Sequence, residues 1–263
     1  MPQAPASDQA IDHAAPERAD RDPAPAVSRA LRILTLLADA DGVPLTLSDI
    51  ARALGLAKSS TANLCISLEE GGMIEREPSG FRLGRRTAEL GGAFAMQFNQ
   101  VREFYRLAAA SPQLHREVVQ LAMLDGAHAL YLARHEGRSP YRLGTPLGSR
   151  LPAALSATGM ALLARLDDDE ALDHVRRIGL ARCTDHTLVT ESDLLADLAL
   201  IRERGYALDE QEQEVGVRCV AVAVGEPMPW LAVSVSGPVT RMTDEIVDRA
   251  VPLLQAAARR LTR

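Results

Sequence analysis

The chain contains no apolar run long enough to cross a bilayer, and its first residues lack the charged-then-apolar order of a secretory signal. An intracellular, cytoplasmic protein without membrane contact is therefore expected. The three cysteines, Cys65, Cys183 and Cys219, lie far apart and make no disulfide framework, which fits a reducing compartment. No Gly-x-Ser-x-Gly elbow, phosphate-binding glycine loop or His-Glu-x-x-His occurs, so an enzyme reading has almost nothing to stand on and no cofactor is expected. Lysine is nearly missing as well. Its single copy, Lys58, stands inside the most informative segment, Leu45 to Leu68.

That segment reads as helix, tight turn, helix. Ile50, Ala51 and Leu54 give the first helix its apolar spacing, Gly55 supplies the positive φ of a sharp turn, and Ser59 or Ser60 is expected to cap the second. On the second helix Thr61, Leu64, Cys65 and Leu68 share one stripe and predict its buried face. Ser59, Ala62, Asn63 and Ile66 then face outward, as small and hydrogen-bonding side chains beside one cation suit a major-groove probe. Met73–Glu77 and Phe81–Leu83 flank Pro78-Ser79-Gly80 and predict a hairpin, the wing of a winged helix-turn-helix. The candidate DNA contacts are Lys58, Ser59, Ser60, Thr61 and Asn63 on the helix, with Arg76, Ser79 and Arg82 on the wing.

The formal net charge of −6 over 263 residues is informative when divided by region. Residues 1–26 hold five carboxylates against Arg18 and Arg21, whereas residues 27–86 hold eight cations against seven carboxylates. The reading head is thus the least acidic part but has no strong basic field. Its affinity must come from a few phosphate contacts multiplied by oligomerisation, and should be salt-sensitive.

Four regions follow. Residues 1–25, rich in Ala, Pro and Asp, are expected to be disordered, 26–84 form the DNA-binding domain, 85–103 a connecting helix, and 104–263 a second domain with its own core. The second domain shows strand character at 118–124, 129–133 and 141–143, then at 217–224 and 230–236. Helices are expected from Ser156 through Arg165, from Thr190 to Gly205, and from about Thr243 to Leu261. Strands with segregated helices make this an α+β domain with an antiparallel sheet. On the late strands Cys219, Ala221 and Ala223 share one face, and Ala232, Ser234 and Ser236 share another. If these meet, a patch of small side chains leaves room either for a ligand or for a closely packed helix.

From Val27 onward the sequence resembles transcriptional regulators of the isocitrate lyase regulator (IclR) family. The matching features are Arg29-Ala-Leu-Arg-Ile-Leu34, Lys58-Ser-Ser60, Phe81-Arg-Leu-Gly84, Leu151-Pro152, Ala157-Thr-Gly-Met-Ala161, Arg204-Gly-Tyr206, Gly216-Val-Arg-Cys219 and Ser234-Val-Ser-Gly-Pro238. The resemblance implies a winged helix, a linker helix used in dimerisation, and a GAF-like effector domain that binds a small metabolite, often an organic acid or aromatic carboxylate. It implies an operator of double-stranded DNA bound by a homodimer or a dimer of dimers. The implied effector-lining positions are Leu143, Ala157, Thr158, Asp209, Cys219, Ser234 and Ser236, with Ala157 and Thr158 at a helix start that favours an anion. Three departures stand out: Ala62-Asn63 where relatives often carry His-Arg, Met160 in place of a usual lysine, and Ala223 in place of a frequent proline. The rival reading assembles His174, Cys183 and His186, with Cys219, into a zinc site of a sensor or hydrolase. Eight residues separate the first two and two precede His186, a spacing that matches no standard ligand pattern.

Overall fold

The computed structural model describes residues 22–110, 117–137, 145–226 and 230–262. The expected tail over most of its length, the strand at 141–143 and the pocket residue Leu143 lie outside them. The chain divides into two compact units, residues 1–92 and 93–263.

In the first unit α1 (Pro25–Asp39), α2 (Leu47–Leu54) and α3 (Lys58–Glu70) precede a hairpin of β1 (Ile74–Glu77) and β2 (Gly80–Leu83). Ile33, Leu37, Ile50, Cys65, Ile74 and Phe81 form its buried core. Thr46 caps α2, its Oγ1 accepting the Asp49 N–H at 3.2 Å, and Gly55 in the left-handed region ends it at φ 65°. The expected serine cap on α3 is corrected. The helix begins at Lys58 behind Ala57, whose carbonyl already accepts from the Thr61 N–H, so Ser59 and Ser60 fall within the first turn. In the wing Glu77 pairs with Gly80 across a two-residue turn. A side chain at Gly80 would lie 2.4 Å from the Leu45 carbonyl oxygen. Glycine therefore lets Leu45 and Phe81 exchange both backbone hydrogen bonds, at 2.9 and 2.8 Å, and ties the wing to the segment before α2.

Helix α4 (Arg85–Met96) follows, and none of its residues is buried. The second unit starts earlier than residue 104, because α5 (Asn99–Ala110) buries Gln100, Val101 and Phe104 in it. Its six-stranded antiparallel sheet runs in the order β5 (Arg150–Pro152), β4 (His128–His135), β3 (Val118–Asp125), β8 (Leu231–Pro238), β7 (Val217–Ala223), β6 (Ala207–Glu210). One face, with Val220, Val222, Leu231, Val233 and Val235, packs on Phe104 of α5 and on Val247, Ala250 and Leu254 of α9 (Asp244–Leu261). The opposite face meets α6 (Ala157–Leu163) and α8 (Glu191–Arg204), while α7 (Asp168–Arg176) contributes Ala171 and Leu172 to the same core. Strands β5 and β6 and helix α7 have no counterpart among the expected elements. The two strands are only three and four residues long, too short for a period to be read.

Candidate DNA-reading head and effector pocket

Helix α3 presents Lys58, Ser59 and Asn63 to solvent, with Ser60 half-buried and Ile66 exposed. No side chain caps its N-terminus and no acidic residue stands in its first turn, so the positive end of the helix dipole is left open. Thr61 is a correction. It is fully buried and its hydroxyl donates to the Ala57 carbonyl at 3.1 Å, which removes it from the reading surface. A threonine on the buried stripe of the helix cannot also face the groove.

The wing arginines are exposed but paired. Arg76 reaches Glu69 at 3.3 Å and lies over the Phe81 ring, 4.5 Å from its centroid. Arg82 reaches Glu75 at 2.6 Å and Glu77 at 2.9 Å. Exposed pairs of this kind contribute about 0–1 kcal/mol, so exchanging a carboxylate for a phosphate costs little. Ser79 stands exposed at the hairpin turn.

In the second unit the register brings the small-residue faces together as expected: Cys219 pairs with Ser236, Ala221 with Ser234, and Ala223 with Ala232. Pairing continues to both sides. Asp209 lies beside Cys219, and Gln120 lies between Ser234 and Arg134. Tyr131 enters from β4, and its hydroxyl is 2.9 Å from the Thr158 hydroxyl. Thr158 donates in turn to Ser156 at 3.3 Å, whose oxygen accepts the Gly159 N–H at 3.1 Å. Ala157, Met160 and Ala161 of α6 pack on Cys219, Ala221 and Ala232, so part of the small face is used for close helix packing. Ala157, Thr158, Asp209, Cys219, Ser234 and Ser236 are all buried in one region. Gln120, Tyr131 and Arg134 belong to it but cannot be found from the sequence, because they come from strands whose register only the folded sheet fixes.

Burial sets the protonation states. It raises the Tyr131 phenol and the Cys219 thiol to about 12, so both stay protonated and the cysteine is no nucleophile. The Cys219 sulfur receives the Ser236 hydroxyl at 2.9 Å. Burial also raises Asp209 to about 6, against backbone donors such as the Glu212 N–H at 2.7 Å. Amid these satisfied groups the Ser234 hydroxyl, fully buried beside Cys219, has no hydrogen-bond partner among the described residues. The zinc alternative gains no support. His174 contacts the Gly126 carbonyl, Cys183 and His186 are exposed, Cys219 is buried, and among the described residues no three candidate ligands gather. No helix among the described residues is long and apolar enough to cross a membrane.

A winged reading head joined to an α+β domain with a polar, buried sheet face defines a DNA-binding regulator governed by a small molecule. Comparison with known proteins agrees. The IclR helix-turn-helix domain profile matches residues 26–78, and the bacterial transcriptional regulator IclR C-terminal profile matches 106–263. The chain belongs to the IclR family of transcriptional regulators, which are not enzymes. It is 28% identical to the transcriptional repressor IclR of Escherichia coli over 242 residues, covering 90% of this chain and 88% of that one. It is 32% identical to the E. coli repressor AllR over 232 residues, covering 84% and 83%. Among solved structures, an IclR homologue from Microbacterium hydrocarbonoxydans complexed with 4-hydroxybenzoate superposes with a TM-score of 0.74 at 26% identity, covering 90% of this chain and 97% of that one. An IclR regulator from Alicyclobacillus acidocaldarius gives 0.78 at 26% identity, with 90% and 97% covered.

Proposed function

We propose that this regulator acts in the cytoplasm as a homodimer, or a dimer of dimers, repressing a catabolic operon until a small carboxylate enters the sheet face of its second domain. The carrying observation is the Ser234 hydroxyl, buried without a hydrogen-bond partner among the described residues in a region where the neighbouring hydroxyls are hydrogen-bonded. A buried polar group without a partner costs about 1–3 kcal/mol, a cost that a ligand acceptor removes. Donors outnumber the one buried carboxylate, Asp209: Tyr131, Thr158, Gln120 and the Arg134 guanidinium, the last two already sharing the Thr145 carbonyl, favour an acid over a cation. Organic and aromatic acids are the class favoured, and the 4-hydroxybenzoate held by the M. hydrocarbonoxydans relative falls within it.

On the DNA side, Lys58, Ser59, Ser60 and Asn63 read the operator, with Arg76, Ser79 and Arg82 supporting from the wing. Asn63 is suited to a bidentate contact with adenine, and Lys58 to a phosphate. Asn63→Ala is expected to lose about 1–3 kcal/mol of discrimination at one or two base pairs. Lys58→Ala should weaken every sequence and reduce the salt slope by about 1. Fluorescence anisotropy with operator and scrambled duplexes separates the two effects, and unchanged binding by both variants would remove α3 from the groove.

Ser234→Ala tests the pocket. Removing an unsatisfied hydroxyl should leave the ligand-free protein as stable or about 1 kcal/mol more stable. The same change should raise the effector concentration needed to release operator about tenfold. A thermal-shift screen of organic and aromatic carboxylates supplies the effector. A destabilised variant with an unaltered response would show that the serine serves only packing.

A further inference from the structure

Between β6 and β7 the chain turns through residues 211–216, and this turn is held in an unfavourable shape. Gln211 has φ 69°, in the left-handed region that residues other than glycine rarely adopt. Such a conformation persists only where its surroundings hold it. Three sets of hydrogen bonds do so here. The Asp209 carboxylate accepts the Glu212 N–H at 2.7 Å, with further donation from the Gln211 and Gln213 backbone. The Gln211 side-chain oxygen accepts the Gly216 N–H at 2.9 Å. From the 183–187 loop, the Thr184 hydroxyl donates to the Gln211 carbonyl at 2.8 Å and the Thr187 hydroxyl to the Glu212 carbonyl at 2.6 Å.

The charges at this turn work against those bonds. Asp209 is 5% exposed and Glu212 is half-buried, and neither has an ion-pair partner among the described residues. Helix α8 adds a third carboxylate, Asp197, with Arg204 3.9 Å from it. Strand β6 adds Glu210, and the Arg218 guanidinium of β7 is occupied by Glu210 and Asp244. Cys219 of β7 and Tyr131 of β4 stay protonated, α6 has no titratable side chain, and the 183–187 loop leaves Cys183, Asp185 and His186 exposed. Carboxylates this close and this poorly hydrated cannot all ionise at neutral pH. Burial, with the charges of Asp209 and Asp197, raises Glu212 to about 8, and burial raises Asp209 to about 6.

We propose that this turn is a pH-sensitive clasp at the edge of the small-residue sheet face, closed while Asp209 and Glu212 share a proton and opened when both are ionised. The sign follows from linkage. A carboxyl whose pKa is raised by the closed turn favours that turn below its ordinary value, and the favour is lost as pH rises to the raised value. For Glu212 the loss runs up to about pH 8, so it spans neutrality. Asp209 stands beside Cys219 in the register, and opening the turn uncovers that end of the face. The clasp belongs to the ligand-free chain and does not depend on what enters the Ser234 region.

Hydrogen–deuterium exchange of the full chain between pH 6 and 8, each rate divided by the intrinsic rate at that pH, tests this. Protection of the amides at 212–216 should fall about tenfold or more over the interval, while the amides of β8 keep theirs. Glu212→Gln and Asp209→Asn, both close in shape to the parent residues, should each flatten the dependence. Thr187→Val removes one pin and no charge, so it should lower protection of the turn at every pH and retain the slope. Protection that does not change between pH 6 and 8, or a fall that survives in both carboxylate variants, would overturn the clasp. A parallel fall in β8 would overturn it as well, by showing general loosening of the domain.

Discussion

Leu90→Glu is expected to convert the protein to a monomer and to lower operator affinity by about two orders of magnitude or more. Helix α4 buries none of its residues within one chain, yet Leu90, Phe94 and Met96 are 49%, 41% and 79% exposed. Leu90 and Phe94, four residues apart, share a face. The helix also contains Gly91 and Gly92, each less favourable than alanine by about 1 kcal/mol, so a 12-residue segment of this composition would be marginal alone. Open space surrounds the missing side chains of both glycines, which permits the close approach of another helix. A second copy packed on this face accounts for the exposure and the glycines together. The near-neutral reading head then explains the size of the effect. One head is expected to make few phosphate contacts, so useful affinity should require two heads on a roughly twofold operator. Light scattering coupled to gel filtration, with anisotropy on the same samples, checks it; a persistent dimer with undiminished operator affinity would take α4 out of the interface.

The reading head was legible almost to the residue because its signals are local. Gly55 and the Thr61–Leu68 stripe act within one or two turns of chain, and the wing is closed by a two-residue turn, whereas the Thr46 cap was not singled out. The misses there are also local conflicts. Ser59 and Ser60 look like caps, but the turn through Gly55 is spent before reaching them, and Thr61 is claimed by both the buried stripe and the reading face until its burial decides. In the second domain strand parity sets Cys219 on one face of its strand and Ser234 with Ser236 on one face of theirs, and only the β7–β8 register joins the two faces, since period-2 alternation fixes sides without fixing partners. Gln120, Tyr131 and Arg134 required partners. A register shift between Leu121 and Ala122 changes which β4 residues stand beside β3, and nothing in the local sequence announces it.

Gly159→Ala should be the most damaging conservative change in the second domain. The added methyl carbon would lie 2.2 Å from the Ala153 oxygen, 2.4 Å from its α-carbon and 2.6 Å from its carbonyl carbon. All three are backbone atoms, so no side-chain rotation relieves the contact. Either α6 or the turn at Ala153–Leu155 must move. Movement disturbs the Ser156 cap on the Gly159 N–H and the Tyr131–Thr158 hydrogen bond, both of which define one wall of the proposed effector region. Overpacking costs typically about 1–3 kcal/mol and occasionally more, and here the rigidity of both partners places the cost at the upper end, about 3 kcal/mol. For a domain of this size that corresponds to a fall of about 6–12 °C in melting temperature. The winged head has its own core of Ile33, Ile50, Cys65 and Phe81, so its transition should stay where it is. Calorimetry resolves the two transitions, and operator anisotropy with added effector follows the consequence: DNA binding retained, release by the metabolite lost. If Gly159→Ala melts and responds like the parent, the contact between α6 and the Ala153 turn is loose, and the effector wall built on Ala157 and Thr158 is not where the geometry puts it.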